Sequence, residues 1–222
     1  METARSFGNY DLAFALADII DNSISAGATT IHIEANFDDG EIRVCDNGTG
    51  MSRDQLTTAM RVGSKNPKER RANNDLGRFG LGLKTASFSQ ADRLLVLTNK
   101  DGEFSGAEWD LNDCANFGMK RYDSTETLEL IKSQIATKNG TEVVWKELTR
   151  LLKGSTKEDE EKDFNSAVTN AIDEIGLIFH RFLEVDEVSG ITNFIKIFFN
   201  NKLVEPIDPF CRSNKKHQKL SS

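Results

Sequence analysis

The sequence predicts an α+β fold: a two-layer α/β sandwich in which a mixed, mostly antiparallel sheet carries helices on one face. Three observations carry this. An apolar stripe at helical spacing occupies residues 11–25. Two pairs of short runs, 29–37 with 41–46 and 94–98 with 104–111, read as hairpins. A second long apolar stripe, from Phe164 to Phe182, stands between a lone strand at 141–145 and a hairpin at 191–204.

Each element has a local reason. Leu12, Leu16, Ile19 and Ile20 fall at i, i+4, i+7 and i+8, one face of a helix that Gly27 ends. Ile31, Ile33, Ala35 and Phe37 alternate with His32, Glu34 and Asn36 as in a half-buried strand. Asp38-Asp39-Gly40 turns the chain into Glu41–Asp46. Side chains alternate along a strand, so Asp46 shares the apolar face of Ile42 and Val44, where a lone carboxylate is costly without a partner. Ser52-Arg53-Asp54-Gln55 matches a capping box and starts a short helix through Met60. Residues 62–76 are polar and without periodicity, and read as a loop. A helix near 81–89 follows Gly77–Gly82, and Lys100-Asp101-Gly102 closes the second hairpin. A short helix is expected near 126–136, and another over Lys146–Leu152 that Gly154 ends. The acidic run Ser155–Asp163 reads as a solvated loop and the first turn of the long helix, where acids suit the dipole. Arg212, Lys215, Lys216 and Lys219 form a basic stretch that reads as a linker.

Composition excludes several classes. The chain has 222 residues and a net charge of −7, which does not advertise a nucleic-acid surface. No apolar run reaches the ~18 residues of a membrane helix, and the first residues lack a secretory layout. Cys45, Cys114 and Cys211 are odd in number and widely spaced, which disfavours a disulfide framework or zinc site and fits a reducing cytoplasm, or nucleus if the source is eukaryotic.

Three segments bear chemistry. In LADIIDNSISAGA, Asp18 and Asn22 stand one helical turn apart. A carboxylate and an amide oxygen are hard ligands suited to magnesium, and a carboxylate beside the metal can orient or deprotonate a water. Alone, the pair equally describes a solvated helix face. In DNGTGM, Asn47-Gly48 suits a tight turn. Yet Asp46 faces the core, and Gly50 leaves the backbone open for a close approach. A buried carboxylate there accepts a hydrogen bond from the 6-amino group of adenine, a donor that guanine lacks at that position. In GRFGLGLK, Gly77, Gly80 and Gly82 precede a helix whose N–H groups can hold phosphate, or else they serve close packing. The spacing fits neither a Walker loop nor a dinucleotide fingerprint. Lys84 is either near the phosphates or an ordinary surface lysine. Thr141, after Gly140, is either a plain strand residue or a contact to the base or to the carboxylate that reads it.

In this order the segments resemble the GHKL (Bergerat-fold) ATPase superfamily of gyrase B, MutL, heat-shock chaperones, histidine kinases and MORC proteins. The phrase GSKNP…LGRFGLGLKTAS resembles the MORC-like branch and bacterial histidine-kinase-like ATP-binding proteins most. The resemblance covers roughly residues 10–185 and implies a Bergerat fold that takes ATP with Mg2+. By it, Asn22 is the metal ligand and Asp46 reads adenine, with Gly48, Gly50 and Met51 shaping the base pocket. Gly77, Arg78, Phe79, Gly80, Leu81, Gly82 and Lys84 belong to the phosphate turn, Thr141 to the last motif, and 62–76 to an ATP lid. The ATPase branch usually has glutamate where this chain has Asp18, so Asp18 is the candidate base and hydrolysis is expected to be slow. Residues 1–188 are expected to form the ATP-binding domain, and 189–222 a linker or the first part of a transducer-like domain. An ATP-gated module of a larger MORC-like machine, dimerising with ATP and meeting nucleic acid through other domains, is the first reading. A non-catalytic nucleotide-sensing scaffold is the second. A histidine kinase is the weakest, because no histidine precedes the first motif helix in this sequence.

Overall fold

The protein is described from a computed structural model covering residues 11–61, 82–113, 118–184 and 194–209. Its helices are α1 (Leu12–Ser25), α2 (Arg53–Met60), α3 (Gly82–Gln90), α4 (Ser124–Leu130), α5 (Lys157–Ile178) and α6 (His180–Leu183). Its strands are β1 (Thr30–Asn36), β2 (Glu41–Asp46), β3 (Arg93–Lys100), β4 (Glu103–Asp110), β5 (Lys120–Tyr122), β6 (Gly140–Lys146), β7 (Lys196–Phe199) and β8 (Lys202–Leu203). They form one sheet in the order β5-β4-β3-β6-β2-β1-β7-β8. Every neighbouring pair is antiparallel except β1 with β7.

The register lines the sheet face toward α1, α3 and α5 with rows of side chains. One row runs Phe199, Ile33, Val44, Val143, Val96, Ala107. The next runs Ala35, Ile42, Trp145, Leu94, Trp109. On the other side of the first lies Ile197, Ile31, Asp46, Thr141, Thr98, Ser105, which turns polar after two residues. The apolar rows pack against Leu16, Ile19 and Ile20 of α1, Ala86 of α3, and Phe164, Ala171 and Ile175 of α5. Trp145 is fully buried, and its Nε1 donates to Ser87 Oγ at 2.7 Å. Such burial of large side chains is the main favourable term for the domain.

The other face has a partial cover. Leu95, Leu97, Cys45, Val144 and Ile135 make a second, smaller core with Tyr122, Leu130 and Ile131. Thus α4 and the short turn Gln134–Ala136 occupy the face opposite the three larger helices. Arg43 sits there, paired with Glu41 at 2.7 Å and with Glu142.

Two local expectations are revised. Lys146–Leu152 is not a helix: Glu147 takes φ 57° on leaving β6 and accepts from the N–H groups of Asp92 and Thr149, which stops helical hydrogen bonding at its first step. Residues 196–203, expected in a linker or following domain, extend this same sheet through the β1–β7 pairing. The long helix begins at Lys157, with Thr156 accepting from Asp159 N.

The C-terminus of α2 is held by side chains. Lys84 Nζ donates to the carbonyls of Ala59 (2.6 Å) and Arg61 (2.7 Å), and Trp109 Nε1 to that of Met60 (2.8 Å). These are carbonyls that a helix end leaves without an internal partner. Burial pushes the Lys84 ammonium down to about 8. Between that value and the unfolded value near 10.5, the unfolded chain holds a proton the native state has released, so stability rises with pH in this window. The neutral amine keeps N–H groups for both carbonyls. Denaturant titrations at pH 8 and pH 10 should therefore show wild type gaining on Lys84→Met by about 1 kcal/mol per pH unit. A pH-independent difference between the two proteins would refute the assignment.

Candidate nucleotide site

The site is built where the polar row of the sheet meets α1. Asp11 caps that helix by accepting from Phe14 N at 2.9 Å. Ser23 continues the apolar stripe of Leu16, Ile19 and Ile20, and is itself buried. Its hydroxyl donates to Asp46 Oδ2 at 2.9 Å. Asp46 Oδ1 accepts from Gly48 N at 2.8 Å and from Thr141 N at 3.3 Å. Burial pushes the Asp46 carboxyl up, and these bonds from Gly48, Ser23 and Thr141 oppose that rise. A carboxylate offers about four lone-pair positions. Three are taken, so one remains for a donor such as an adenine amino group.

The turn after Asp46 docks on the end of α1. Thr49 N donates to Ala26 O at 3.0 Å, and Asn47 Oδ1 accepts from the N–H groups of Thr29 and Thr30. A Cβ on Gly48 would lie 2.9 Å from Ala26 O and 3.0 Å from Asp46 Oδ1. Gly50 has φ +66°, and a Cβ there would lie 2.1 Å from Asn99 O. Both positions require glycine. Met51 N donates to Thr98 Oγ1 at 2.8 Å, and that hydroxyl donates to Gly140 O at 3.0 Å, which ties the turn to β3 and β6.

The second half of the site is the crossing of α1 and α3. A Cβ on Gly82 would stand 3.8 Å from Asp18 Oδ2, so the first residue of α3 faces the carboxylate. Asp21 is half-buried, and burial and then the charge of Asp18 push its carboxyl up. Asn22, one turn after Asp18, is exposed.

The structure thus gathers Asp46, Gly48, Gly50, Met51 and Thr141 at one end and Asp18 and Gly82 at the other. Lys84, read from sequence as a phosphate neighbour or a surface lysine, is buried with its ammonium on the α2 carbonyls. Gly77, Arg78, Phe79, Gly80, Leu81 and the 62–76 loop lie outside the described residues. Sequence reasoning missed Ser23 and Thr98. The signal for Ser23 was present: a hydroxyl in an otherwise apolar helical stripe must find a partner.

Among the described residues no group of three His, Cys, Asp or Glu side chains could hold a metal ion. The Asp18 carboxylate and the Asn22 amide oxygen are hard donors of the kind that suit magnesium shared with phosphate and water. No described helix is long and apolar enough to cross a membrane.

Residues 10–141 match the family model described as histidine kinase-, DNA gyrase B-, and HSP90-like ATPase. The chain is 31% identical over 157 residues to a chaperone protein HtpG of Mycolicibacterium gilvum (strain PYR-GCK), covering 64% of this chain and 22% of that protein. It is 32% identical over 90 residues to ATPase morc-1 of Caenorhabditis elegans, covering 40% and 10%. To ATPase MORC2B of Mus musculus it is 33% identical over 96 residues, covering 41% and 9%. The chain therefore spans less than a quarter of the length of these relatives. With a model matching more than half of its residues, the chain belongs to the histidine kinase-, DNA gyrase B- and HSP90-like (GHKL) ATPase family, a family of ATP-binding domains.

Proposed function

We propose that this domain binds Mg2+·ATP and hydrolyses it slowly, and that nucleotide drives lid closure and dimerisation within a larger MORC-like machine. The observation that carries the reading is the Asp46 carboxylate, buried, supplied with three protein donors and left with one acceptor position beside two glycines that admit no Cβ. Asp46 accepts the adenine amino proton, and the Thr141 hydroxyl, which has no hydrogen bond among the described residues, faces the same end. Met51 covers the base. Asn22 holds the metal, and the start of α3 from Gly82 supplies backbone N–H groups to phosphate. When bound, the metal neutralises phosphate charge and positions the reacting group. Asp18 orients and deprotonates the attacking water from beside Gly82.

Asp18 is one methylene shorter than the glutamate usual in the ATPase branch, which favours slow turnover. It also supports the second reading, a nucleotide-sensing scaffold that binds without hydrolysis. Clients, nucleic acid among them, would be met through other parts of a longer protein.

Asp46→Asn keeps an acceptor for the Gly48 and Thr141 N–H groups but presents an amide N–H to the adenine amino group. The expected result is a fold close to wild type and ATP affinity weakened ~10–100-fold by calorimetry; unchanged affinity would remove the adenine assignment. Asp18→Ala should retain binding and cut phosphate release ~10²–10⁴-fold. Turnover as fast as wild type would exclude Asp18 as base, while no release from either protein would favour the scaffold. Trypsin cleavage after Lys65, Lys68, Arg70 and Arg71 should slow with a non-hydrolysable ATP analogue and magnesium. Cleavage at the same rate with and without the analogue would contradict lid closure.

A further inference from the structure

A second cavity, of about 290 Å³, lies between α2 and the β4–β5 edge of the sheet. It shares no residue with the nucleotide site. Arg53 and Thr57 of α2, Ser105 of β4 and Arg121 of β5 line it, with Leu56 and Tyr122 as apolar wall.

Ser105 is the first clue. It ends the polar row Asp46, Thr141, Thr98, Ser105 and is only 4% exposed. Asp46 and Thr98 have their hydrogen bonds within the protein, and Thr141 adjoins the acceptor of the base. The Ser105 hydroxyl has no hydrogen-bond partner among the described residues, and the residue lines this cavity.

The two arginines are the second clue. Arg43 and Arg93 are consumed by carboxylates within the fold. Arg53 and Arg121 come from different elements, converge on one cavity, and make no ion pair or hydrogen bond among the described residues. Asp123 and Glu126 also line the cavity. Each spends one carboxylate oxygen on the other's backbone, Asp123 Oδ1 accepting from Glu126 N and Glu126 Oε2 from Asp123 N, both at 2.9 Å, and neither forms an ion pair with the arginines, though both keep their charge. Tyr122 Oη is likewise committed to Glu108. The lining thus offers two guanidinium forks without a hydrogen bond and two hydroxyls beside a small apolar wall, with two capping carboxylates at its rim.

We propose that this cavity is a second ligand site that takes a small organic anion through its carboxylate or phosphate group, with Arg53 and Arg121 as the charged clamp and Ser105 as a hydrogen-bond donor. Planar guanidinium groups bind such oxyanions through paired N–H bonds. The volume and the Leu56–Tyr122 wall suit an anion carried on a compact apolar body.

Amide chemical shifts of the whole protein, titrated with inorganic phosphate and separately with succinate, test this against sodium chloride at matched ionic strength. Saturable shifts at Ser105, Gly106 and Tyr122 with one or both probes, absent with chloride, are the expected result, and the stronger probe identifies the head group. Arg53→Gln/Arg121→Gln should weaken that binding at least ~10-fold. Arg53→Lys/Arg121→Lys, which keeps the charge and loses the fork, should weaken it less. Shifts matched by chloride, or affinity unchanged in the glutamine variant, would overturn the site. Shifts centred on Gly82 instead would place phosphate at the nucleotide end and would also overturn it.

Discussion

The arrangement depends on the burial of one carboxylate. Asp46 leaves water at the end of β2, and a charge moved into a protein interior costs several kcal/mol unless it is paired or hydrogen-bonded. The three bonds that offset this cost come from Ser23 on α1, Gly48 in the following turn and Thr141 on β6. A helix, a turn and a neighbouring strand are therefore positioned against one another by a single group. The offset is incomplete, since burial still pushes the Asp46 carboxyl up. A further donor from a ligand would complete the set, and in that sense the apo protein is prepared for one.

The close backbone packing around that carboxylate explains the glycines. Gly50 lies against Asn99 O, and Gly140, at φ +154°, lies so near Asp46 O that a Cβ would stand 2.1 Å from it. Thr98 bridges the two by accepting from Met51 N and donating to Gly140 O. Side chains at these glycines would push the turn away from the sheet and break the Thr98 bridge. The Asp46 end of the site is thus closely packed backbone tied by the Thr98 side chain.

Much of this was legible in the sequence because it rests on local period. Alternation along 41–46 placed Asp46 on the core face, and the capping box at Ser52–Gln55 is present with both of its bonds. What local period does not encode is where a side chain ends after long-range packing. Lys84 reads as a polar residue early in a helix, and only the approach of α3 to the end of α2 turns it into a clamp on two carbonyls. Glu147 reads as a good helix former, yet the exit from β6 puts it in the left-handed region. The strand at 196–199 was visible as a strand, but its parallel pairing with β1 joins residues more than 160 positions apart and leaves no local trace. Ser23 was overlooked because an apolar stripe was sought, when the polar interruption of that stripe was the informative residue.

The two ends of the site are built from different materials, and this separates two properties. Asp46, Gly48, Gly50 and Thr141 belong to the sheet and the turn bonded to it, whose registers are fixed by ladders on either side. Asp18, Asn22 and Gly82 stand on two helices that face each other across the site, with Asp18 Oδ2 a van der Waals contact away from where a Cβ of Gly82 would be. A small shift of α3 against α1 changes the distance from Asp18 to Gly82, while Asp46 stays tied to α1 through Ser23. In the proposed reading, recognition of the base is then a property of the sheet together with the end of α1, and the rate of hydrolysis depends on how α3 sits against α1. In that same reading the shorter carboxylate at position 18 bears on the rate and not on affinity.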